Sequence, residues 1–193
     1  MHSAVRQLTA VLPPPAEAAP APPWERAGEA GLRFPTDYRE FVDLYGGGTL
    51  GGELNVIAPT LRPFQPGYPR GFPGFARLAA DDVGATFTDL RESDPDANPY
   101  PLYPNPGGLL VWATTYNADH CFWDTRDDDP DRWPVVVWLR HVGPPQWREF
   151  DGCVADFLLA LVNGSYEHAD LLVGPGSPPR WTRTSDWSRW YDA

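Results

Sequence analysis

The chain contains no lysine: all 15 basic residues are arginine, against 26 acids, and the formal net charge is −11. It has one methionine, two cysteines and four histidines in 193 residues. No apolar run approaches the roughly 18 to 20 residues that cross a bilayer, which excludes a spanning helix and predicts no membrane partner. Met1 to Pro15 lacks the basic-then-apolar order of a secretory signal, so the expected location is the cytoplasm. Cys121 and Cys153 are too few for a disulfide scaffold and are not spaced as metal ligands. Two reduced, buried thiols are expected, with a single structural disulfide as the alternative.

Large rings are abundant. Aromatics make up 13% of the chain and hydrophobic residues 42%, enough to bury a real core. Twenty-four prolines and 18 glycines point to many turns and irregular connections rather than a helical bundle. The richness in Ala, Gly, Pro and Arg resembles the codon bias of a GC-rich bacterial genome. The charge is unevenly spread. Residues 81 to 131 hold twelve acids against Arg91 and Arg126, a local net of −10, while the segments on either side are close to neutral. Such a surface is either a solvated, solubilising face or an attractor for a basic partner. It repels phosphates, so nucleic acid is not an expected ligand.

Along the chain, Ser3 to Leu12 has Val5, Leu8 and Leu12 at helical spacing, with Ser3 as the expected cap. Residues 13 to 23, PPPAEAAPAPP, form a polyproline-like linker. Trp24 to Ala30 is a second candidate helix, stopped by Gly31. Pro35 suits a first helical position, and Tyr38, Phe41, Val42 and Tyr45 form one apolar stripe ending at Gly46 to Gly48. From Thr49 the pattern changes to that of a strand through Leu50, Leu54 and Val56. The Pro/Gly-rich stretch 62 to 75 carries Phe64, Tyr68, Phe72 and Phe75, expected to pack over the core edge. Ala85 to Leu90 is a candidate strand, and 93 to 108 a Pro-rich loop. Leu109 to Thr114 and His120 to Trp123 pair as a hairpin, the acidic run DTRDDDPD follows, and Val135 to Leu139 is the next strand. A helix over Asp151 to Val162, capped by Asp151, closes the pattern. Three parts are thus expected: residues 1–23, a main domain over 24–164, and a Pro/Trp-rich extension over 165–193 in which Trp181, Trp187 and Trp190 either fold back or stay loose. The order predicts an α+β fold, a mostly antiparallel sheet with N-terminal helices and a C-terminal helix packed on one face.

Catalytic patterns are scarce. H-E-x-x-H, paired C-x-x-C and G-x-S-x-G do not occur. His120 adjoins Cys121, but neighbouring strand residues point to opposite faces, so the two side chains should not meet. The Asp127 to Asp131 run lacks the glycine and closing glutamate of a calcium loop. Gly46 to Gly48 follows a helix, which suits a turn and not a phosphate cradle. No enzymatic activity, cofactor or metal is expected.

The stretch LRFPTDYREFVDLYGGGTLGGELNVIAP, Leu32 to Pro59, resembles the signature of the SUKH superfamily, the Smi/Knr-type proteins. The match is carried by Pro35, Asp37, Tyr38, Arg39, Phe41, Tyr45, Gly46 and Gly48. Trp24, Gly31, the LLVWATTYNADHCFWDT hairpin and the FDGCVADFLLALVNG helix follow the family's order, so the pattern spans residues 24 to 164. The resemblance implies a non-enzymatic α+β domain. Its bacterial members look like immunity proteins that bind and neutralise a cognate toxin, often one directed at nucleic acid, and its fungal relatives look like scaffolds. It also implies that Pro35, Tyr38, Phe41, Tyr45, Gly46 and Gly48 determine the fold and are not the contact surface.

Together, resemblance and charge predict an intracellular immunity protein whose partner is a toxin with a basic surface. The expected contacts are Asp127, Asp128, Asp129 and Asp131, then Asp94 and Asp96, with Trp133 as an aromatic anchor. The alternatives are an adaptor or regulatory scaffold, and a small-ligand or carbohydrate-binding module suggested by the many rings.

Overall fold

The computed structural model describes residues 1–59, 71–78, 80, 83–176 and 178–184. Phe64, Tyr68, Asp81, Asp82, Trp187 and Trp190 lie outside the described residues. The architecture is α+β: seven strands form one antiparallel sheet in the order β6-β5-β4-β3-β2-β1-β7. The strands are β1 (Gly48–Leu50), β2 (Leu54–Val56), β3 (Leu109–Thr115), β4 (His120–Asp124), β5 (Val135–Trp138), β6 (Trp147–Phe150) and β7 (Trp181–Arg183). Side chains alternate between faces along each strand, so the ring contacts tell which helix covers which face.

One face carries Trp112, Trp123 and Val135. The helices α2 (Thr36–Tyr45) and α5 (Val154–Val162) pack on it, and α1 (Ser3–Val11) lies against those two helices. Tyr38 of α2 meets Trp123 edge-on at 4.8 Å, and Phe157 of α5 meets Trp112 at 6.0 Å. The predicted α2 stripe is the buried one: Tyr38, Phe41, Val42 and Tyr45 are all in the core. Two of its rings also place polar tips. The Tyr38 hydroxyl donates to the Ile57 carbonyl and the Tyr45 hydroxyl to that of Leu12, which ties α2 to the strand end and to α1. The opposite face carries His120, Phe122, Trp138 and Trp147. Here α4 (Gly84–Ser93) covers the sheet through one ring, Phe87, which lies 4.9 to 5.4 Å from all four. The two thiols are free, Cys121 in the core and Cys153 half-buried.

Several local expectations change. Ala85 to Leu90 is not a strand but lies within α4; a short run with two large apolar residues three apart suits either period, and packing of Phe87 on the sheet decides it. Thr49 to Val56 is not one strand but the β1–β2 hairpin, reversed at Gly51 and Gly52, whose φ values are 66° and 79°. Phe72 and Phe75 do pack over the core edge, but from a short helix, α3 (Gly71–Arg77), against Phe34. Trp24–Ala30 is a 3₁₀ helix with Gly31 left-handed at its end.

The helix caps come from elsewhere in the chain. Ser3 is the first residue of α1 and makes no cap, and Pro35 precedes α2. Asp151 does not cap α5. That helix starts at Val154 behind Cys153, whose backbone N–H and thiol both face the Asp156 carboxylate, while buried Asp37 of α2 accepts the Ala155 N–H at 2.8 Å.

Packing runs continuously through both flanks of residues 24–164. Leu8 and Leu12 of the N-terminal segment join the main core, as do Leu172 and Val173 of α6 (Ala169–Val173). β7 pairs with β1, and Trp181 lies against Phe41 and Tyr45. Gly48 belongs to β1 and not to a turn: a side chain there would collide with the Thr182 carbonyl across the strand pair. Gly46, with φ 71°, makes the turn after α2.

Candidate interaction surface

The acidic run lies between β4 and β5, at the end of the sheet where α2 begins. Its backbone is fixed from three sides. Trp133 is 7% exposed; it packs near Trp123 and donates its ring N–H to the Asp127 carbonyl at 2.7 Å. Trp133 is therefore a core anchor for the loop and is not available as an aromatic contact for a partner. The Arg33 guanidinium donates to the Asp128 carbonyl. Asp131 reaches across 95 residues of sequence to accept the Thr36 N–H and, at 2.8 Å, the Thr36 hydroxyl, so it caps α2. This is the cap that Pro35 leaves unfilled.

The carboxylates divide into paired and unpaired groups. Asp124 is buried and accepts both from the Arg126 Nε, at 2.7 and 2.9 Å, and from its Nη2. Asp127 accepts the Asp129 amide at 2.9 Å and Arg132 Nη2 at 2.8 Å. The Asp129 N–H first, and Arg132 after it, hold the Asp127 carboxyl below its ordinary range. Asp129 accepts the Asp131 N–H at 3.1 Å and caps the 3₁₀ turn Pro130–Arg132. Asp128 and Asp129 are exposed. Asp94 and Asp96 are exposed too, but they follow α4 on the other face of the sheet and do not join this cluster. Asp94 instead accepts the Ala97 N–H. Of the seven expected contact residues, four share one loop, two lie elsewhere, and one is core.

No family model, curated protein or solved structure matches the chain.

Arg33, Thr36, Arg126 and Arg132 were not foreseen as parts of the surface. Arg126 and Arg132 sit beside the acids in sequence, which was a usable signal. Arg33 and Thr36 become neighbours only through the fold.

His120 faces Phe87 on one side of the sheet, whereas Cys121 pairs with Ala113 and Val137 and is wholly buried. Burial pushes the His120 imidazole down to about 4 and raises the Cys121 thiol. Among the described residues, no three His, Cys, Asp or Glu side chains converge as a metal site would require. No helix among them is long and apolar enough to cross a membrane. Beside α4 lies a shallow cleft of about 370 Å³, lined by Phe87, Tyr100 and Leu102 with Arg91, Glu92 and Asn105 among its polar groups. The Tyr100 hydroxyl is held by Glu149 at 2.6 Å.

Proposed function

We propose that this chain is a non-enzymatic binding protein of the bacterial cytoplasm, an immunity protein that neutralises a cognate toxin with a basic, nucleic-acid-directed surface. The supporting observation is the state of the Asp127–Asp131 loop. It offers Asp128 and Asp129 to solvent on a backbone already fixed by Trp133, Arg33 and the Asp131–Thr36 cap. A preformed acidic loop loses little conformational freedom on docking, and its field steers a basic partner into encounter. The loop is fastened to α2, the helix that carries the SUKH-like signature.

The contact is narrower than the sequence suggested. Asp128 and Asp129 carry it; Asp127 is engaged by Arg132, and Asp131 acts mainly as a helix cap. The test is to express the open reading frames beside this chain's gene and measure binding of any toxin domain they encode. Neutralising Asp128→Asn and Asp129→Asn together should lower the association rate about tenfold at low salt and flatten its salt dependence. A salt slope identical to that of the unmodified chain sinks the charge mechanism. Failure to bind or to protect cells from that toxin sinks the immunity reading and leaves the adaptor.

The small-ligand reading rests on the Phe87–Tyr100 cleft. Among the described residues no tryptophan is exposed: Trp112, Trp123, Trp133 and Trp138 are buried, and Trp24, Trp147 and Trp181 partly so. Titration with monosaccharides, followed by the emission of Trp147 beside Tyr100, separates this reading from the first.

A further inference from the structure

The cleft beside α4 has two walls that are fastened to each other. One is a face of the helix, with Phe87 and Arg91 one turn apart and Thr88 and Glu92 beside them. The other is the loop that carries Pro95, Tyr100 and Asn105. Asn98, 8% exposed, joins them. Its side-chain amide donates to the Leu90 and Asp94 carbonyls at 3.3 and 3.0 Å and accepts the Trp147 ring N–H at 3.3 Å. Phe87 is the buried floor, and Trp147 lies 5.3 Å from it and 5.1 Å from Tyr100. A cleft held in this way needs little ordering when a ligand enters.

Its open polar atoms are mostly acceptors. The Tyr100 hydroxyl donates to Glu149 at 2.6 Å, which leaves its oxygen to accept and strengthens it in that role. Asn105 commits its Nδ2 to the Leu102 carbonyl at 2.9 Å, and its Oδ1 has no partner among the described residues. Glu92 is exposed and unpaired among them. Charge has the same sense, counted over the described groups at the cleft. Arg91 and Glu92 line it, Asp89 follows Thr88, and Asp94 and Asp96 flank Pro95. Glu149 is bonded to Tyr100, and the charges of Asp124 and Arg126 act on that hydroxyl. Six carboxylates thus stand against two guanidiniums, a net of −4. Arg148, beside Glu149 in β6, projects to the opposite face, toward Glu167.

We propose that this cleft is a binding site for a guanidinium carried on an apolar stem. Ring faces attract a cation, and a planar guanidinium stacks on an aromatic ring. Its several N–H donors match the oxygens of Tyr100, Asn105 and Glu92. Arg91 is the opposing group; it weakens the site without reversing the sign of the field. The cleft shares no residue with the Asp127–Asp131 loop, so this site does not rest on the immunity reading.

The test titrates the full chain with n-butylguanidinium and follows the amide NMR shifts of α4 and Tyr100. Saturation with a Kd of about 1 mM is expected for a ligand of this size. n-Butylurea has the same shape without the charge and should bind about tenfold more weakly. Glu92→Gln should weaken binding about threefold and Arg91→Gln should tighten it about threefold, since each changes one charge at about 6 Å in water. Both side chains are exposed and unpaired among the described residues, so both variants should melt with the unmodified chain. The blocked peptide acetyl-Gly-Arg-Gly-amide separates the sources of the ligand. If it binds at least as tightly, the cleft takes a protein side chain; if n-butylguanidinium alone binds, the cleft takes a free small molecule. Absence of saturable shifts, equal binding of n-butylurea, or tighter binding on Glu92→Gln overturns the proposal. Saturation by glucose in place of n-butylguanidinium overturns it in favour of the sugar reading.

Discussion

Asp37 links the two helices that cover one face of the sheet, and its replacement separates two physical effects that usually travel together. Its carboxylate is 2% exposed and accepts the Ala155 N–H at 2.8 Å, in the first turn of α5. Asp37→Ala deletes that acceptor and leaves a buried donor unpaired. An unsatisfied buried N–H costs about 1–3 kcal/mol and a lost helix cap about 1 kcal/mol; the two overlap, so the expected loss is about 2–3 kcal/mol. Against a typical total of about 5–15 kcal/mol, that is a large fraction. Asp37→Asn keeps an oxygen facing Ala155 and gives up the charge. The loss of charge–dipole attraction is about 0.3–1 kcal/mol. It is offset because burial already penalises the ionised form: desolvation raises the Asp37 carboxyl above 3.8, despite the Ala155 N–H, the Cys153 thiol, the Tyr38 N–H and His2, which all act to lower it. Asp37→Asn should therefore stay within about 1 kcal/mol of the unmodified chain at pH 7.

A carboxyl whose folded value lies above its unfolded value contributes stability that is complete below the unfolded value and is lost as pH rises through the folded one. As pH rises above the unfolded value the unmodified chain should lose that contribution and Asp37→Asn should not, so the gap between them shifts in favour of Asn as pH rises. Urea unfolding followed by tryptophan emission measures all three chains. If Asn proves as damaging as Ala at pH 7, the charge and not the acceptor holds α5, and the reasoning fails.

Two further outcomes follow from buried geometry. His120 sits near 4 against an ordinary 6.5, so its contribution to stability is present above pH 6.5 and is lost as pH falls through 4, up to about 3 kcal/mol in all; an NMR titration of its ring should show no midpoint near 6.5, and one there would place the ring in water. Gly48→Ala should destabilise the chain by about 1–3 kcal/mol, because a Cβ overpacks the β1–β7 pair, and should open the C-terminal segment to protease before the rest; uniform cleavage would show that β7 does not depend on this close approach.

Period and turn chemistry made parts of the fold legible. The α2 stripe, the Gly46 stop and the β3–β4 hairpin each follow from residues close in sequence, and each is where the pattern put it. The failures are non-local. β7 has three residues and exists because β1 lies beside it, some 130 residues earlier. β6 has only Trp147 and Phe150 as large apolar residues among two charges, and its strand character comes from pairing with β5. The caps failed for the same reason: Asp131 serves α2 and Asp37 serves α5, whereas capping rules look only at the neighbouring residues. For the candidate surface, sequence located the acidic loop between two strands. It did not show that Trp133 turns inward, because nothing local distinguishes a ring that anchors a loop from one that faces a partner.

The same distinction decides how much of the charge run remains for binding. An arginine pair cancels a carboxylate's field at a distance; a backbone N–H does not. Asp124 with Arg126 and Asp127 with Arg132 are cancelled in this sense. Asp129 and Asp131 are bonded to peptide and hydroxyl dipoles, and Asp128 is exposed, so three full charges still project from the loop, opposed nearby by Arg33. Asp131 can therefore cap α2 and contribute to steering at once, which makes it the poor choice for a binding test: its removal alters fold and field together. Asp128 separates them. Among the described residues its carboxylate accepts no hydrogen bond, Arg33 gripping the carbonyl instead, and Asp128→Asn should change association kinetics while leaving the unfolding transition where it was. A change in that transition would mean that the loop's charge stabilises the fold and was never free to meet a partner.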